Sequence, residues 1–314
     1  MRRATPERRD VAAEITSLII AKIEAGVAPW RRSWTAGSAG GRPLRHNGHD
    51  YSGIICLYLW AIGADAGYAS PYWMTYNQAV ALGARVRRGE SGSLSVYFNA
   101  VSKTETDART GEESARLIRF MRHYVVFNAE QIEGLAPHFR PGIDTAVVEP
   151  SVRQAAIDAF FAAIPADIRH GGDKAFYSPS HDFIQVPRPI AFKSQDHFAS
   201  TLAHECLHWS AHPDRLARTF GKRFGDDAYA FEEIVATIGQ SFICADLDLP
   251  PELHDSHASY IDHWLRVLKS DKSAIIHAAS KAEQAARYLK AFSEGAAVDP
   301  SAGKETGREN ALQS

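Results

Sequence analysis

Apolar residues along this 314-residue chain recur at two spacings, one typical of helices and one typical of strands. Within residues 6–26, Val11, Ile15, Ile19 and Ile23 recur every four positions and so share one face of a predicted amphipathic helix, which Gly26 ends. Similar spacing predicts further helices at residues 54–65, 74–82, 151–163, 196–212, 228–247 and 254–292.

Alternation of apolar and polar residues predicts two strands, at 94–103 and 119–128. The stretch that joins them, 103–116, is polar with turn composition, and we expect it to be an exposed hairpin excursion. Residues 175–187 indicate two more short strands around a turn.

The length is typical of two domains, each large enough to bury its own core. Periodicity is lost over residues 128–150, a stretch with three prolines that we interpret as a linker. The sequence therefore predicts an α+β protein with one domain at 1–140 and a second at 141–292. The small, polar residues 293–314 are expected to be a disordered tail.

Charge is also distributed unevenly, with a basic N-terminal part and an acidic remainder. Residues 1–98 carry 12 Lys+Arg against 7 Asp+Glu, whereas the rest of the chain carries 23 against 30. Three scattered cysteines indicate buried free thiols rather than a disulfide framework, which fits a reducing compartment. There is no apolar run of membrane-spanning length and no pattern of a secretory signal, so we expect a cytoplasmic protein without a membrane partner.

The predicted helix at 196–212 contains the motif H-E-x-x-H, formed by His204, Glu205 and His208. Residues four apart lie on the same face of a helix, so the two imidazoles can share one metal ion. Glu205 is turned away from that face and can act as a general base toward a metal-activated water. This is the pattern of a zincin-type Zn²⁺ site. The alternative is that these are two ordinary helix histidines.

The third ligand has to come from another element. His212 continues the four-residue series, but it lies about 12 Å from His204 along a straight helix, too far to share one ion. The predicted helix at 228–247 offers Glu232 and Glu233, which periodicity does not separate. We choose Glu233, because Thr237 lies one turn later as a potential hydrogen-bonding partner.

Two further features concern a substrate. The strands at 175–187 are expected beside the metal-binding helix, where an extended peptide could add as another strand. The alternative is a purely structural hairpin. Tyr260 is a candidate catalytic residue that would stabilise the oxyanion of a tetrahedral intermediate; most helix tyrosines are structural.

Aromatic and basic residues are interleaved in the N-terminal part. Single-stranded nucleic acid binds where aromatic rings stack on bases and where Arg or Lys contacts phosphates. Arg42 is a further arginine that could contact phosphates. The alternative is a small domain whose tryptophans form its core and whose arginines are solvated. The candidate DNA-binding residues are Trp30, Arg31, Arg32, Trp34, Arg45, Tyr51, Arg87 and Arg88.

Several segments carry a family resemblance. PWRRSW, DYSGIICLYLW, GYASPYWMTYNQAVALGARVRRGESG and YVVFNAEQIEGL resemble the N-terminal domain of ArdC-like antirestriction proteins. TLAHECLHWSAHPDRLAR, YAFEEIVATIGQSFICADL and ASYIDHWLRVLKSDK resemble the C-terminal zincin domain of that family. The resemblance covers nearly the whole chain apart from the tail.

This resemblance implies a plasmid- or phage-type protein that binds single-stranded DNA and counteracts host restriction. Together with the motif, it predicts a zincin-like second domain in which the H-E-x-x-H helix lies beside a small sheet. The leading hypothesis is a zinc metallopeptidase that acts on a protein on or near the DNA. The alternative is a non-enzymatic DNA-protecting protein whose metal is structural.

Overall fold

The computed structural model describes residues 10–27, 41–106, 113–140, 149–219, 227–250 and 261–295. Eight helices lie within these ranges: α1 (Val11–Glu24), α2 (Gly53–Ala66), α3 (Tyr76–Ala81), α4 (Pro150–Ala163), α5 (Gln195–Trp209), α6 (Asp227–Asp246), α7 (Ile261–Ser270) and α8 (Ala274–Ser293). Each corresponds to a predicted helix, except that the stretch 254–292 contains two, separated at 271–273. None of these described helices is both long and apolar enough to cross a membrane.

Nine strands form three small sheets in the described residues. The strands are β1 (Leu44–Arg45), β2 (Tyr72–Met74), β3 (Arg85–Val86), β4 (Ser93–Thr106), β5 (Glu113–Asn128), β6 (Ile132–Glu133), β7 (Asp167–His170), β8 (Phe176–Ser178) and β9 (Phe183–Val186). Their orders are β1-β2-β5-β4, β3-β6 and β7-β9-β8.

The hairpin predicted over residues 103–116 is confirmed for the part that is described, but its strands extend further than predicted. Strand β4 runs on to Thr106 and β5 begins at Glu113, with Thr106 opposite Glu113 in the antiparallel register. The pairing of β4 with β5 therefore continues into this polar stretch from both sides.

The hairpin predicted at 175–187 is confirmed. Strands β8 and β9 pair antiparallel, with Tyr177 opposite Ile184. The unpredicted strand β7 adds to the other side of β9 in parallel, which leaves β8 at an edge of this sheet. Both β8 and β9 contact α5.

One hydrophobic core runs through both halves of the chain. Ile15 and Ile19 of α1 and Leu57 of α2 belong to the same buried cluster as Phe242 of α6 and Leu289 of α8. Helix α1 contacts α7, and α2 contacts α8. The boundary near residue 140 stays a prediction, and the core extends across it.

Candidate metal centre

Helix α5 carries the H-E-x-x-H motif and is capped at its N-terminus. The hydroxyl of Ser194 accepts a hydrogen bond from the backbone N–H of His197 at 3.0 Å. Every residue from Ala199 to Trp209 is buried. Helix α6 packs along α5, where the amide of Gln240 donates to the carbonyl oxygen of Ser200 at 3.0 Å. The motif therefore lies on a buried helix that packs against α6.

Three side chains converge between α5 and α6. The Nε2 atoms of His204 and His208 are 3.1 Å apart. The carboxylate of Glu233 lies 3.5 Å from each of these atoms, through Oε2 to His204 and through Oε1 to His208. All three side chains are buried. Two imidazole nitrogens and one carboxylate oxygen thus face a single point.

This donor set fits a divalent cation. One ligand atom from each of His204, His208 and Glu233 lies within 4.8 Å of the others, and within the described part of the chain no other group of three or more His, Cys, Asp or Glu does so. Two histidines and one glutamate form a common Zn²⁺ ligand set.

The electrostatics of the cluster favour positive charge. Burial alone would lower the pKa of His208, but the carboxylates of Glu233 and Glu232 outweigh it and raise that pKa to about 10. Burial would raise the pKa of Glu233, but the imidazoles of His208 and His204 hold it far below its ordinary range. Carboxylates that favour a positive charge on the imidazoles favour a bound cation for the same electrostatic reason.

Glu205 lies on the same helix and is itself buried. Burial raises the pKa of its carboxyl group, the two neighbouring histidines oppose that rise, and a hydrogen bond from the backbone of Tyr177 also opposes it. Tyr177 belongs to the edge strand β8, so this carboxylate connects the helix with the sheet edge.

The two glutamates at the start of α6 have different surroundings. Glu233 faces the histidines, whereas the carboxylate of Glu232 lies 3.3 Å from Nδ1 of His208 and pairs with Arg218. Burial would raise the pKa of Glu232, but Arg218 and His208 outweigh it and keep that pKa below its ordinary range. The carboxylate behind His208 is therefore Glu232, one residue before the chosen ligand.

Two arginines after α5 form ion pairs that were not predicted. Arg218 pairs with Glu232 beside the metal centre, whereas Arg215 pairs with Asp182 in the turn between β8 and β9. Arg215 also donates to the carbonyl oxygen of Trp209 at 2.6 Å and stacks over its ring at 4.0 Å. The sequence signal was the basic pair in HPDRLAR, whose carboxylate partners lie in other elements.

His212 is separate from the cluster. Helix α5 ends at Trp209, and the Nδ1 atom of His212 accepts a hydrogen bond from the backbone N–H of Asp214 at 3.2 Å. This placement agrees with its exclusion as a ligand on distance.

Several predicted residues lie outside the described ranges: Tyr260, Trp30, Arg31, Arg32 and Trp34. Their roles stay predictions. The predicted disordered tail also lies outside them, apart from residues 293–295.

The other DNA-binding candidates are not alike. Tyr51 is 3% exposed, and the guanidinium group of Arg45 lies over its ring at 4.6 Å, so no face of that ring is open for stacking. Arg87 is exposed and pairs with Glu90 at 2.7 Å, and Arg88 is also exposed. Arg42 is buried and binds carboxylates of α6 and α8.

Two family models match the chain, one on each side of the predicted boundary. Residues 9–127 match the N-terminal domain of the anti-restriction factor ArdC, and residues 155–281 match a zincin-like metallopeptidase domain. The chain is also 41% identical to the antirestriction protein ArdC from plasmid R388, solved without metal, with a TM-score of 0.77 over 92% of this chain and 100% of that one. The chain belongs to the ArdC-like antirestriction family.

Other relatives extend this result. A structure of the same ArdC protein with Mn(II) bound is 40% identical, with a TM-score of 0.75 over 91% of this chain and 98% of that one. The uncharacterised protein y4eC of Sinorhizobium fredii is 40% identical over 90% of this chain and 92% of its own length. A DNA primase TraC of Escherichia coli is 36% identical over 90% of this chain, which spans only 27% of the primase.

These comparisons confirm the predicted α+β class and the zincin-like C-terminal domain. They also indicate a metal, which the fold of the family and the cluster of His204, His208 and Glu233 both support. Because the solved relative holds Mn(II), the choice of Zn²⁺ stays a prediction.

Proposed function

We propose that this ArdC-like protein binds single-stranded DNA and hydrolyses peptide bonds at a Zn²⁺ centre held by His204, His208 and Glu233. The observation that carries the peptidase proposal is the convergence of these three side chains beside the buried carboxylate of Glu205. When bound, the metal supplies a Lewis acid that activates water and polarises a carbonyl group.

Glu205 is the general base in this proposal. A carboxylate accepts protons more readily as its pKa approaches the working pH, and burial shifts the pKa of Glu205 in that direction. The backbone hydrogen bond from Tyr177 orients its carboxylate. Since Tyr177 lies in the edge strand, an extended peptide that pairs with β8 would pass next to the base.

The proposed DNA-binding surface combines Trp30, Arg31, Arg32 and Trp34 with the exposed arginines Arg87 and Arg88. The structure adds one aromatic candidate. Tyr76 is 55% exposed at the start of α3, a helix that contacts the strand β3 just before those two arginines. An exposed ring beside basic side chains matches what single-stranded DNA requires.

The peptidase is tested with the metal-loaded protein and its Glu205→Gln variant, offered casein and the protein itself as substrates. We expect cleavage by the wild type and loss of cleavage in the variant, whose metal content should be unchanged. Metal-loaded wild type without Glu205-dependent cleavage would contradict the peptidase proposal.

The DNA site is tested by replacing Trp30, Arg31, Arg32 and Trp34 together with alanine. We expect weaker binding of single-stranded DNA and a smaller dependence of affinity on salt, because fewer counterions are released from phosphates. DNA binding that is insensitive to salt, or unchanged in this variant, would show that the DNA site does not lie in this segment.

A second candidate function is DNA protection without catalysis. Its support is that His204, Glu205, His208 and Glu233 are each less than 10% exposed, which suits a metal that stabilises the fold. Under this reading, antirestriction in cells survives Glu205→Gln and fails in the quadruple alanine variant.

We also propose that the protein acts in a reducing compartment, the cytoplasm. Cys56, Cys206 and Cys244 are all buried free thiols. Such thiols persist where disulfides are kept reduced.

A further inference from the structure

Arg218 lies behind the proposed metal centre, ten residues beyond the last histidine of the motif. It is 6% exposed. Its guanidinium group binds both carboxylate oxygens of Glu232, from Nε to Oε2 at 3.0 Å and from Nη2 to Oε1 at 2.9 Å. This is a buried, bidentate ion pair, the geometry that gives arginine its specificity for carboxylates.

The same guanidinium group also binds the end of the metal-binding helix. Nη2 donates to the carbonyl oxygen of Leu207 at 2.7 Å, and Nη1 donates to the hydroxyl of Ser210 at 3.1 Å. The backbone N–H of Arg218 donates to the carbonyl oxygen of Ala211 at 3.0 Å. Arg218 therefore connects the C-terminus of α5 with the start of α6, the two elements that supply the metal ligands.

Glu232 extends this connection to a ligand. Its Oε1 atom lies 3.3 Å from Nδ1 of His208, whose Nε2 faces His204 and Glu233. A carboxylate at Nδ1 favours the tautomer with its proton on Nδ1, which leaves the lone pair of Nε2 for a metal. The contacts run without a gap from Arg218 through Glu232 to His208.

We propose that Arg218 is a positioning residue of the metal centre. It holds the carboxylate of Glu232 in place, and that carboxylate in turn orients the imidazole ring of His208. The inference rests on the proposed metal site formed by His204, His208 and Glu233. Lysine cannot replace this function fully, because an ammonium group is a point charge and lacks the planar fork that binds two oxygens at once.

The experiment measures the Zn²⁺ affinity of the metal-free full-length protein by competition with a chromophoric chelator. Loss of a group that orients a ligand typically reduces metal affinity 10- to 100-fold. We expect a loss of about this size in Arg218→Ala and a smaller loss in Arg218→Lys. The visible spectrum of bound Co²⁺, which reports ligand geometry, should change in both variants.

Arg215→Ala is the matched control. It removes an arginine from the same loop, but the contacts of Arg215 go to Asp182, Tyr177 and Trp209 rather than to Glu232. Its Zn²⁺ affinity and Co²⁺ spectrum should equal those of the wild type. Changes as large as those of Arg218→Ala would show a general effect of disturbing the loop and would overturn the assignment.

A double-mutant cycle isolates the proposed connection. Arg218→Ala should cost little further affinity once Glu232 has been replaced by alanine, since the arginine would act through that carboxylate. Additive losses would overturn the assignment. If Arg218→Ala does not fold, as circular dichroism would show, Arg218→Lys decides, and a folded lysine variant with wild-type affinity and spectrum overturns the role of Arg218.

The two proposals fail in different ways. Wild-type protein that binds neither Zn²⁺ nor Co²⁺ would refute the metal site itself. Wild-type protein that binds Zn²⁺ tightly, with equal affinity in both Arg218 variants, would refute the positioning role alone.

Discussion

Arg42 donates a hydrogen bond from Nε to Oδ1 of Asp246 at 2.7 Å, which pairs a residue of the N-terminal half with the last residue of α6. Its Nη1 atom donates to Glu283 of α8 at 2.6 Å, and its guanidinium group lies 4.5 Å from the ring centroid of Phe242. Arg42 is 4% exposed. An arginine that composition would assign to the DNA-binding surface thus lies between the two halves.

Arg42→Ala should lower the free energy of unfolding by about 1–3 kcal/mol, because two half-buried carboxylates lose their shared buried cation and keep only Lys290 and Arg287 as partners. Urea unfolding followed by circular dichroism measures this loss. Arg85→Ala is the control, since the ion pair of Arg85 with Glu133 is exposed at both ends, and its effect should be too small to resolve. Equal midpoints for Arg42→Ala and Arg85→Ala would contradict a structural role for Arg42.

Glu283 should make stability depend on pH in one direction. Burial would raise the pKa of its carboxyl group, but Arg42, Arg287 and the backbone N–H of Gly53 outweigh burial and lower it. A carboxyl group whose pKa is lowered on folding stabilises the protein above its unfolded pKa, about 4.3 for glutamate, and this stabilisation disappears as the pH falls through the folded pKa.

The advantage of wild type over Glu283→Gln should therefore be full at about pH 6 and should shrink below about pH 4. Urea titrations of both proteins across this range measure the difference. If the stability advantage of wild type over Glu283→Gln grew on acidification instead, folding would not lower the pKa of Glu283.

Metal addition should stabilise the protein only through the proposed ligands. A cation at 100 times its dissociation constant adds about 2.7 kcal/mol to the free energy of unfolding. Zn²⁺ should therefore raise the melting temperature of the metal-free wild type, and a chelator should reverse the rise. His204→Ala and Glu233→Ala should abolish the shift.

His212→Ala is the control for the ligand assignment, because His212 is close in sequence and lies outside the cluster. It should retain the full Zn²⁺-dependent shift. Loss of the shift in His212→Ala, or its persistence in Glu233→Ala, would show that the ligand set is wrong.

Gly239 lies where α6 packs tightly against Leu207 of α5. A Cβ atom added there would lie 2.7 Å from Cδ2 of Leu207, which is itself fully buried. Overpacking of this kind costs about 1–3 kcal/mol, against a gain of about 1 kcal/mol from better helix propensity. Gly239→Ala should therefore be net destabilising and should weaken Zn²⁺ binding by displacing the ligand-bearing helices.

Gly63→Ala tests the same substitution without the clash. Gly63 lies inside α2, and its added Cβ would be 3.6 Å from Trp73, an ordinary contact. The propensity gain should dominate, and stability should rise by up to about 1 kcal/mol. Thermal unfolding compares the two variants, and a Gly239→Ala protein as stable as Gly63→Ala would show that α5 and α6 can separate freely.

The sequence predicted what depends on local spacing. The helix that carries His204 and His208 follows from apolar periodicity, and both histidines share a face because four residues separate them. The exclusion of His212 needed only helix geometry. The confirmed hairpin of β8 and β9 follows from two short apolar runs around a turn.

What the sequence did not predict depends on distant parts of the chain. Periodicity did not separate Glu232 from Glu233, and the packing of α6 against α5 directs Glu233 to the Nε2 atoms of the histidines and Glu232 to Arg218. Strand β7 is mostly polar or charged, so alternation does not reveal it, and it forms by pairing with β9. The sequence around Arg42 did not predict its buried position, because its partners lie over 200 residues away.

The core that joins α1 and α2 to α6 and α8 bears on how such a protein can be inherited. Separation of the two halves of the chain near residue 140 would expose Ile15, Leu57 and Phe242 to water. We therefore expect that neither half folds stably by itself. The match to the TraC primase spans both halves of this chain and 27% of that protein. We therefore expect the two halves to be inherited together as a single block.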